Sequence, residues 1–286
     1  MNAMTTDLTL LGLQPDRAMI ERIAAMAGAT RIVALGANAF RCEGASLAAR
    51  PAVEALCAEQ QLDCAFLSDD HGRDLKLLAM DMDSTLITIE CIDEIADMHG
   101  LKAEVSAITE AAMRGEIDFR ESLAQRVTLL RGLDASALQR VYEERLQLSL
   151  GAQTMLDAVR AAGMKTLLVS GGFTFFTDRL KERLGLDYTH ANQLEILDGK
   201  LTGKVIGGVV DAEEKRNRLL AVCAELGIAP SQAIAMGDGA NDLRMMDAAG
   251  LSVAFRAKPA VRVKADVALN FVGLDGVLAF LDVVPR

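Results

Sequence analysis

The stretch LLAMDMDSTLITIE, Leu77 to Glu90, decides how this chain is read. An apolar run, Leu77-Leu78-Ala79-Met80, has the length and character of a strand covered on both faces. Two aspartates spaced two apart, Asp81 and Asp83, follow it at once. Like charges crowded at the end of a buried strand resist ionisation unless a cation or strong donors compensate them. Alone, the pair would be a solvated loop or the start of a calcium loop. The calcium-loop pattern fails, with no Gly six positions in and Ile92 where a Glu belongs.

Working outward, strands and helices alternate as in a parallel sheet with crossover helices. After Leu77–Asp81 come MKTLLVS, AIAMGD and LSVAF, and the first of these follows a helix ending at Ala162-Gly163. Between the first two strands, about 90–151, the spacing predicts an entirely helical insertion with Gly100, Gly115 and Gly132 as stops. Placed just past a strand end, such an insertion makes a natural lid. LEILDGKLTGKVIGG carries Asp198-Gly199 between alternating residues, a hairpin signal.

A polar cluster, Ser68 to Asp74, predicts a boundary between domains at 1–73 and 74–286. The second would comprise a core, 74–89 and 152–286, and the helical cap. Before the boundary the pattern predicts a small α+β module of βαββαβ type. Its strands are DLTLLGL, RIVALG, a short one near Asn38 to Cys42, and LDCAFL. Its helices run from Pro15 to Ala27, opened by a proline in the first turn, and from Pro51 to Gln60. The 286 residues suit about two domains at ~150 residues each.

Half the chain is hydrophobic but only 4% is aromatic, so aliphatic and Met side chains must fill the core. The net charge of −10, without a Lys/Arg block, argues against a general nucleic-acid or anionic-membrane binder. A phosphate site would have to attract its anion locally. Five scattered cysteines without a CxxC read as reduced thiols, and His71, His99 and His190 stand isolated. Neither a signal peptide nor a membrane-length apolar stretch is evident, so a soluble cytoplasmic protein is expected.

Ligands of open parallel sheets bind at the carboxyl ends of the strands. Those ends carry Asp81-Met82-Asp83-Ser84-Thr85, Ser170-Gly171-Gly172 and Gly237-Asp238-Gly239-Ala240-Asn241-Asp242, while Lys215 comes early in a helix. Asp81 and Asp238 suit a shared hard cation such as Mg²⁺. Ser170 and the Gly171 amide suit phosphate oxygens, and Lys215 adds positive charge where a phosphoryl group is most negative. Separately, each has an ordinary reading. Ser170-Gly171-Gly172 is a turn, Lys215 a solvated helix residue, and Asn241 a helix cap. No stretch fits a Walker A loop.

Together and in this order, Asp81-x-Asp83-Ser-Thr, Ser170, Lys215 and Gly237-Asp238-x-x-Asn241-Asp242 resemble the haloacid dehalogenase superfamily of phosphohydrolases. More narrowly, DMDSTLITIECIDEIA, SGGF and GDGANDLRMM are similar to the phosphoserine phosphatases. The resemblance runs from about Leu75 to the C-terminus. It departs modestly at Met82, where the family often has an aromatic residue. It implies a Rossmann-like core with a small helical cap, and Mg²⁺-dependent hydrolysis of O-phospho-L-serine, the last step of serine biosynthesis.

By that resemblance Asp81 is the nucleophile and Asp83 the general acid and base. The metal is held by Asp81, the Asp83 backbone carbonyl and Asp238, with Asp242 or Asn241 in support. Lys215, Ser170, Gly171 and Asn241 would bind the phosphate end of the substrate. Glu90 would take the ammonium and Arg126 the carboxylate, while Met113 and Phe119 match apolar cap positions. Arg126 can also be read as a snorkelling cap residue, and Met113 and Phe119 as packing within the cap. The N-terminal module loosely resembles ACT-type regulatory domains, which implies a homodimer through that module and regulation by serine. Other readings remain open here: another phosphatase or phosphotransferase on the same scaffold, or an amino-acid-sensing regulatory protein.

Overall fold

The computed structural model describes residues 6–68 and 74–281, and of Met113 the backbone only. Most of the expected boundary, 69–73, lies outside the described residues. The N-terminal module runs β1 (Thr6–Leu11), α1 (Arg17–Met26), β2 (Arg31–Ala34), β3 (Ala39–Glu43), α2 (Arg50–Glu59) and β4 (Asp63–Ser68). Its sheet has the order β2-β3-β1-β4, antiparallel throughout, as in a ferredoxin-like βαββαβ unit. Alternation along β1 buries Leu8 and Leu10 against Ile20 and Ile23 of α1, Val53 and Cys57 of α2, and Phe40 and Phe66. One detail departs from expectation. Asp16 caps α1, accepting the Ala18 N–H at 3.2 Å, so Pro15 lies ahead of the helix instead of in its first turn.

The remainder begins with β5 (Leu77–Met80) and the insertion, which folds as α3 (Cys91–Asp97), α4 (Lys102–Met113), α5 (Phe119–Leu129) and α6 (Ser136–Glu144). Then come α7 (Ala152–Ala161), β6 (Lys165–Phe173), α8 (Thr174–Leu184), β7 (Tyr188–Leu197), β8 (Lys200–Ile206) and α9 (Ala212–Leu226). The chain finishes with β9 (Ala233–Gly237), α10 (Leu243–Ala248), β10 (Leu251–Phe255), α11 (Pro259–Arg262) and β11 (Val267–Leu269). The seven-stranded sheet has the order β11-β10-β9-β5-β6-β7-β8, parallel except for the β7–β8 hairpin. Strands β5, β9 and β10 are buried at every residue, as two covered faces require.

From β5 the chain first builds outward through β6, then returns to place β9 on the other flank. This reversal opens a crevice at the carboxyl end of β5, immediately before Asp81. The β7–β8 turn is Asp198-Gly199, with φ of 53° and 75° as a type I′ turn needs. That hairpin carries the cap. Gly132 N–H donates to Leu201 O and Ala135 N–H to Gly199 O, both at 2.8 Å. At Gly203, φ is +81° and a Cβ would stand 2.9 Å from Arg131 Cβ, so glycine lets β8 approach α5. No described helix is long and apolar enough to cross a membrane.

Module and core meet at Asp63, the first residue of β4, which is 2% exposed. Its carboxylate accepts the N–H groups of Asn270 (2.8 Å), Phe271 (3.0 Å) and Val272 (3.1 Å), just beyond β11. Replacing it by Ala would leave those buried donors without an acceptor, a loss of about 1–3 kcal/mol. Asp63→Ala is therefore expected to lower the unfolding free energy read by urea denaturation by that amount and to speed hydrogen exchange at the amides of residues 270–272. Unchanged exchange there would show that the carboxylate does not hold the junction.

Candidate active site

The strand ends named by the sequence converge on one crevice. Asp81 N–H still donates to Met236 O of β9 at 3.0 Å, so its side chain starts from a fixed backbone. The chain then turns sharply through Met82–Leu86, with Ser84 at φ +56°, and Leu86 N–H closes back on Asp81 O. This turn sends Asp83 toward the first cap helix, where its carboxylate accepts the Cys91 N–H at 3.3 Å. Ser84 Oγ donates to Glu90 at 2.6 Å, which fixes the residue just before that helix.

Lys215 is wholly buried beneath this crevice. Asp211 caps α9 by accepting the Glu213 and Glu214 amides, each at 3.0 Å, and so places Lys215 on the inward side of the opening turn. Its Nζ lies 2.8 Å from Asp81 Oδ1 and 2.7 Å from Asp242 Oδ1. Burial alone would lower the ammonium pKa, but Asp242 and Asp81 raise it above its ordinary value, so it stays charged. Asp242 also accepts the Gly239 N–H at 3.0 Å. A Cβ at Gly237 would stand 2.3 Å from Asp242 Cγ, so this strand end must be glycine.

One ammonium does not balance the carboxylates around it. Oxygens of Asp81, Asp238 and Asp242 lie within 4.8 Å of one another. Burial, and next the charge of Asp242, push Asp81 well above the usual carboxylate range although Lys215 opposes them. Burial, Asp242 and Glu90 push Asp238 up to about 7. Burial and the Glu90 charge push Asp83 up to about 8. An all-oxygen donor set with surplus negative charge fits a hard divalent cation. The Asp83 carboxylate, turned toward Cys91, stands outside the set of three, and Asp242 stands within it.

At the end of β6, Ser170 is buried and its Oγ accepts the Gly172 N–H at 2.8 Å. Pairing with β7 shifts register between Val169 and Phe173, and the bulge aims the Ser170–Gly172 backbone into the crevice. A Cβ at Gly171 would press to 3.1 Å from the Phe119 ring of the cap. Glu90, Phe119, Arg126 and Asn241 line the same cleft of about 890 Å³ as Asp81, Asp83, Ser170, Gly171 and Asp238. Lys215 lies under this floor. Met113 ends α4 beside the cleft-lining Ala112, and its side chain lies outside the described residues.

Several contributors escape the sequence reading. Asn192 of β7 donates to Gly171 O at 2.7 Å and accepts the Val210 N–H at 2.8 Å, pinning the Ser170–Gly171 bulge. Asp93, Arg244 and Lys258 also line the cleft. Lys258 follows the carboxyl end of β10, so the strand-end rule that found the other residues could have found it. Asn192 gave no such signal, because it sits inside a strand.

A family model described as haloacid dehalogenase-like hydrolase matches residues 75–250. A phosphoserine phosphatase of Polaromonas sp. is 61% identical over 210 residues, covering 72% of this chain and 89% of that protein. The unliganded crystal structure of a probable phosphoserine phosphatase from Vibrio cholerae superposes with a TM-score of 0.82 at 38% identity, covering 97% of this chain and 87% of that one. A phosphoserine phosphatase structure with a phospho-aspartyl intermediate analogue has a TM-score of 0.69 at 39% identity, covering 73% and 99% of the two chains.

Lys215 offers a direct test of the electrostatic arrangement. Lys215→Met keeps the side chain's bulk but leaves Asp81 and Asp242 buried without their cation, which costs about 3–5 kcal/mol. Urea denaturation without added divalent ion is expected to read a loss of that size. A variant as stable as the wild type would mean that the ammonium does not hold the site together.

Proposed function

The chain belongs to the haloacid dehalogenase-like hydrolases, and from that premise we propose that it hydrolyses O-phospho-L-serine to L-serine and inorganic phosphate. One observation carries the substrate. A single cleft joins a phosphate-handling floor, Asp81, Asp83, Ser170 and Gly171, to a cap that offers one acid, Glu90, and one base, Arg126. Phosphoserine has an ammonium and a carboxylate besides its phosphate, so the groups match in number and sign. The planar fork of Arg126 suits a carboxylate, and Phe119 covers the entrance with an apolar ring.

Asp81 attacks phosphorus, an Asp81–phosphorus bond forms, and the bond from phosphorus to the serine oxygen breaks. Asp83, kept protonated by burial, gives its proton to the departing serine oxygen. Water then attacks the phospho-aspartate while Asp83 takes back a proton, and phosphate leaves with Asp81 restored. Covalent catalysis splits one hard displacement into two easier ones. Ser170 Oγ and the Gly171 amide hold phosphoryl oxygens, with Asn241 at the same rim. Lys215 acts from below by holding Asp81 in place and by partly offsetting the burial that disfavours its ionised form. Mg²⁺, held by Asp81, Asp238, Asp242 and the Asp83 carbonyl, would neutralise charge on the transferring phosphoryl group.

The N-terminal module has the βαββαβ succession on which its likeness to ACT-type domains rests, which supports a role in self-association or in sensing serine. The expected cytoplasmic location agrees with a biosynthetic phosphatase.

Phosphate release from L-phosphoserine tests the reading. Wild type with Mg²⁺ is expected to release phosphate, Asp81→Asn to release essentially none, and Asp83→Asn to be slower by ~10²–10⁴-fold. Failure of the wild type across a range of divalent ions would refute it. For the metal, Mg²⁺ is expected to raise the melting temperature of wild type but not of Asp238→Asn. An equal rise in both would remove Asp238 from the ligand set.

A further inference from the structure

Lys258 lines the active-site cleft, and none of the chemistry above uses it. Its backbone is fixed on several sides. Arg256 N–H donates to Leu269 O of β11 at 2.7 Å, Arg262 Nε donates to Ala257 O at 2.5 Å, and Lys258 N–H donates to Asp238 O at 3.1 Å. Pro259 follows at once and opens α11. A side chain exposed at the rim thus stands on a backbone hydrogen-bonded to Asp238 and β11.

The other cations of the cleft are matched. Lys215 is shared between two carboxylates and sealed below the floor. Arg244 is paired with Glu213. Arg126 is surrounded by the charges of Asp93, Glu90 and Asp83. Among the described residues, Lys258 has no direct ion pair, yet its charge reaches both Glu90 and Asp238. The problem it answers is electrostatic. A phosphate monoester arrives with about −1.5 to −2 charges at a cleft lined by Asp81, Asp83, Glu90, Asp93 and Asp238, in a chain of net charge −10. At physiological salt, fields die away over about 8 Å, so a cation at the entrance acts on the incoming phosphate before charges sealed in the floor do.

We infer that Lys258 is the residue that draws the phosphate dianion into this acidic cleft, a recognition element distinct from the groups that hold the amino-acid end. The inference rests on the phosphatase reading for its substrate, but its own ligand is phosphate. Lys258 attracts by charge at the rim, so the effect depends on ionic strength and an arginine can supply it. A residue that merely tuned Glu90 would instead alter recognition of the ammonium.

The test uses the full-length protein with Mg²⁺ present, with inorganic phosphate and L-serine as separate calorimetric ligands. At low ionic strength, Lys258→Gln is expected to bind phosphate about threefold to tenfold more weakly than wild type, and the gap should close at high salt. Lys258→Arg should restore wild-type affinity, and L-serine affinity should be the same in all three proteins. Equal phosphate affinity in Lys258→Gln and wild type at low salt would overturn the inference, as would a gap that persists at high salt. A parallel loss of L-serine binding would overturn it too, because Lys258 would then act through Glu90. If phosphate binding depends on Lys258 while the wild type releases no phosphate from phosphoserine, the inference stands and the substrate reading fails.

Discussion

The site depends on one buried ammonium. Lys215 lies between Asp81 and Asp242 with no exposure to solvent, and it ties the start of α9 to the carboxyl ends of β5 and β9. Taking such charges out of water costs several kcal/mol per ion, and only close, well-aligned pairing offsets that cost. This constraint explains why Gly237 has no side chain, why the Gly239 amide faces Asp242, and why Asp211 caps α9 at its particular residue. It also leaves negative charge over, which is what a divalent cation and a phosphoryl group require of their surroundings.

The floor and the cap are not independent. Asp83 takes its hydrogen bond from the first amide of α3, and Glu90 is held by Ser84 of the floor turn. The position of the acid and the position of the substrate-facing carboxylate are therefore set together, across the joint between core and cap. On the far side, the β7–β8 hairpin supports the cap through main-chain hydrogen bonds at Gly132 and Ala135. Arg120 of α5 also pairs with Asp211 at the start of α9, a further tie between cap and core. Charge at the rim, where Lys258 stands, lies on the core side of the cleft.

The N-terminal module is joined to the core by more than its linker. A buried carboxylate that accepts three consecutive backbone amides is directional and specific, and Asp63 supplies it at the edge of β4. Those amides follow β11, whose neighbour β10 leads into the Lys258 turn. The module thus buttresses the β11 edge of the sheet.

The sequence by itself determined the strand-terminal acids, the helical insertion, the hairpin at Asp198-Gly199 and the βαββαβ module. Each is written in local terms: apolar run length, 3.6-residue spacing, or a turn that needs positive φ. Order along the chain also recorded the motif set, because chemistry at a strand end sits next to its strand. Only tertiary structure decided the rest. Lys215 has the local pattern of a solvated helix residue, and it is buried because α9 packs over two strand ends far from it in sequence. Strand β11 is three residues long, and the first half of β7 is polar, so neither carries a periodicity to read. Asn192 and Asp63 matter through partners that pairing and docking bring to them. Which side chains share a crevice follows from strand order, and strand order is settled by long-range burial that no short window of sequence contains.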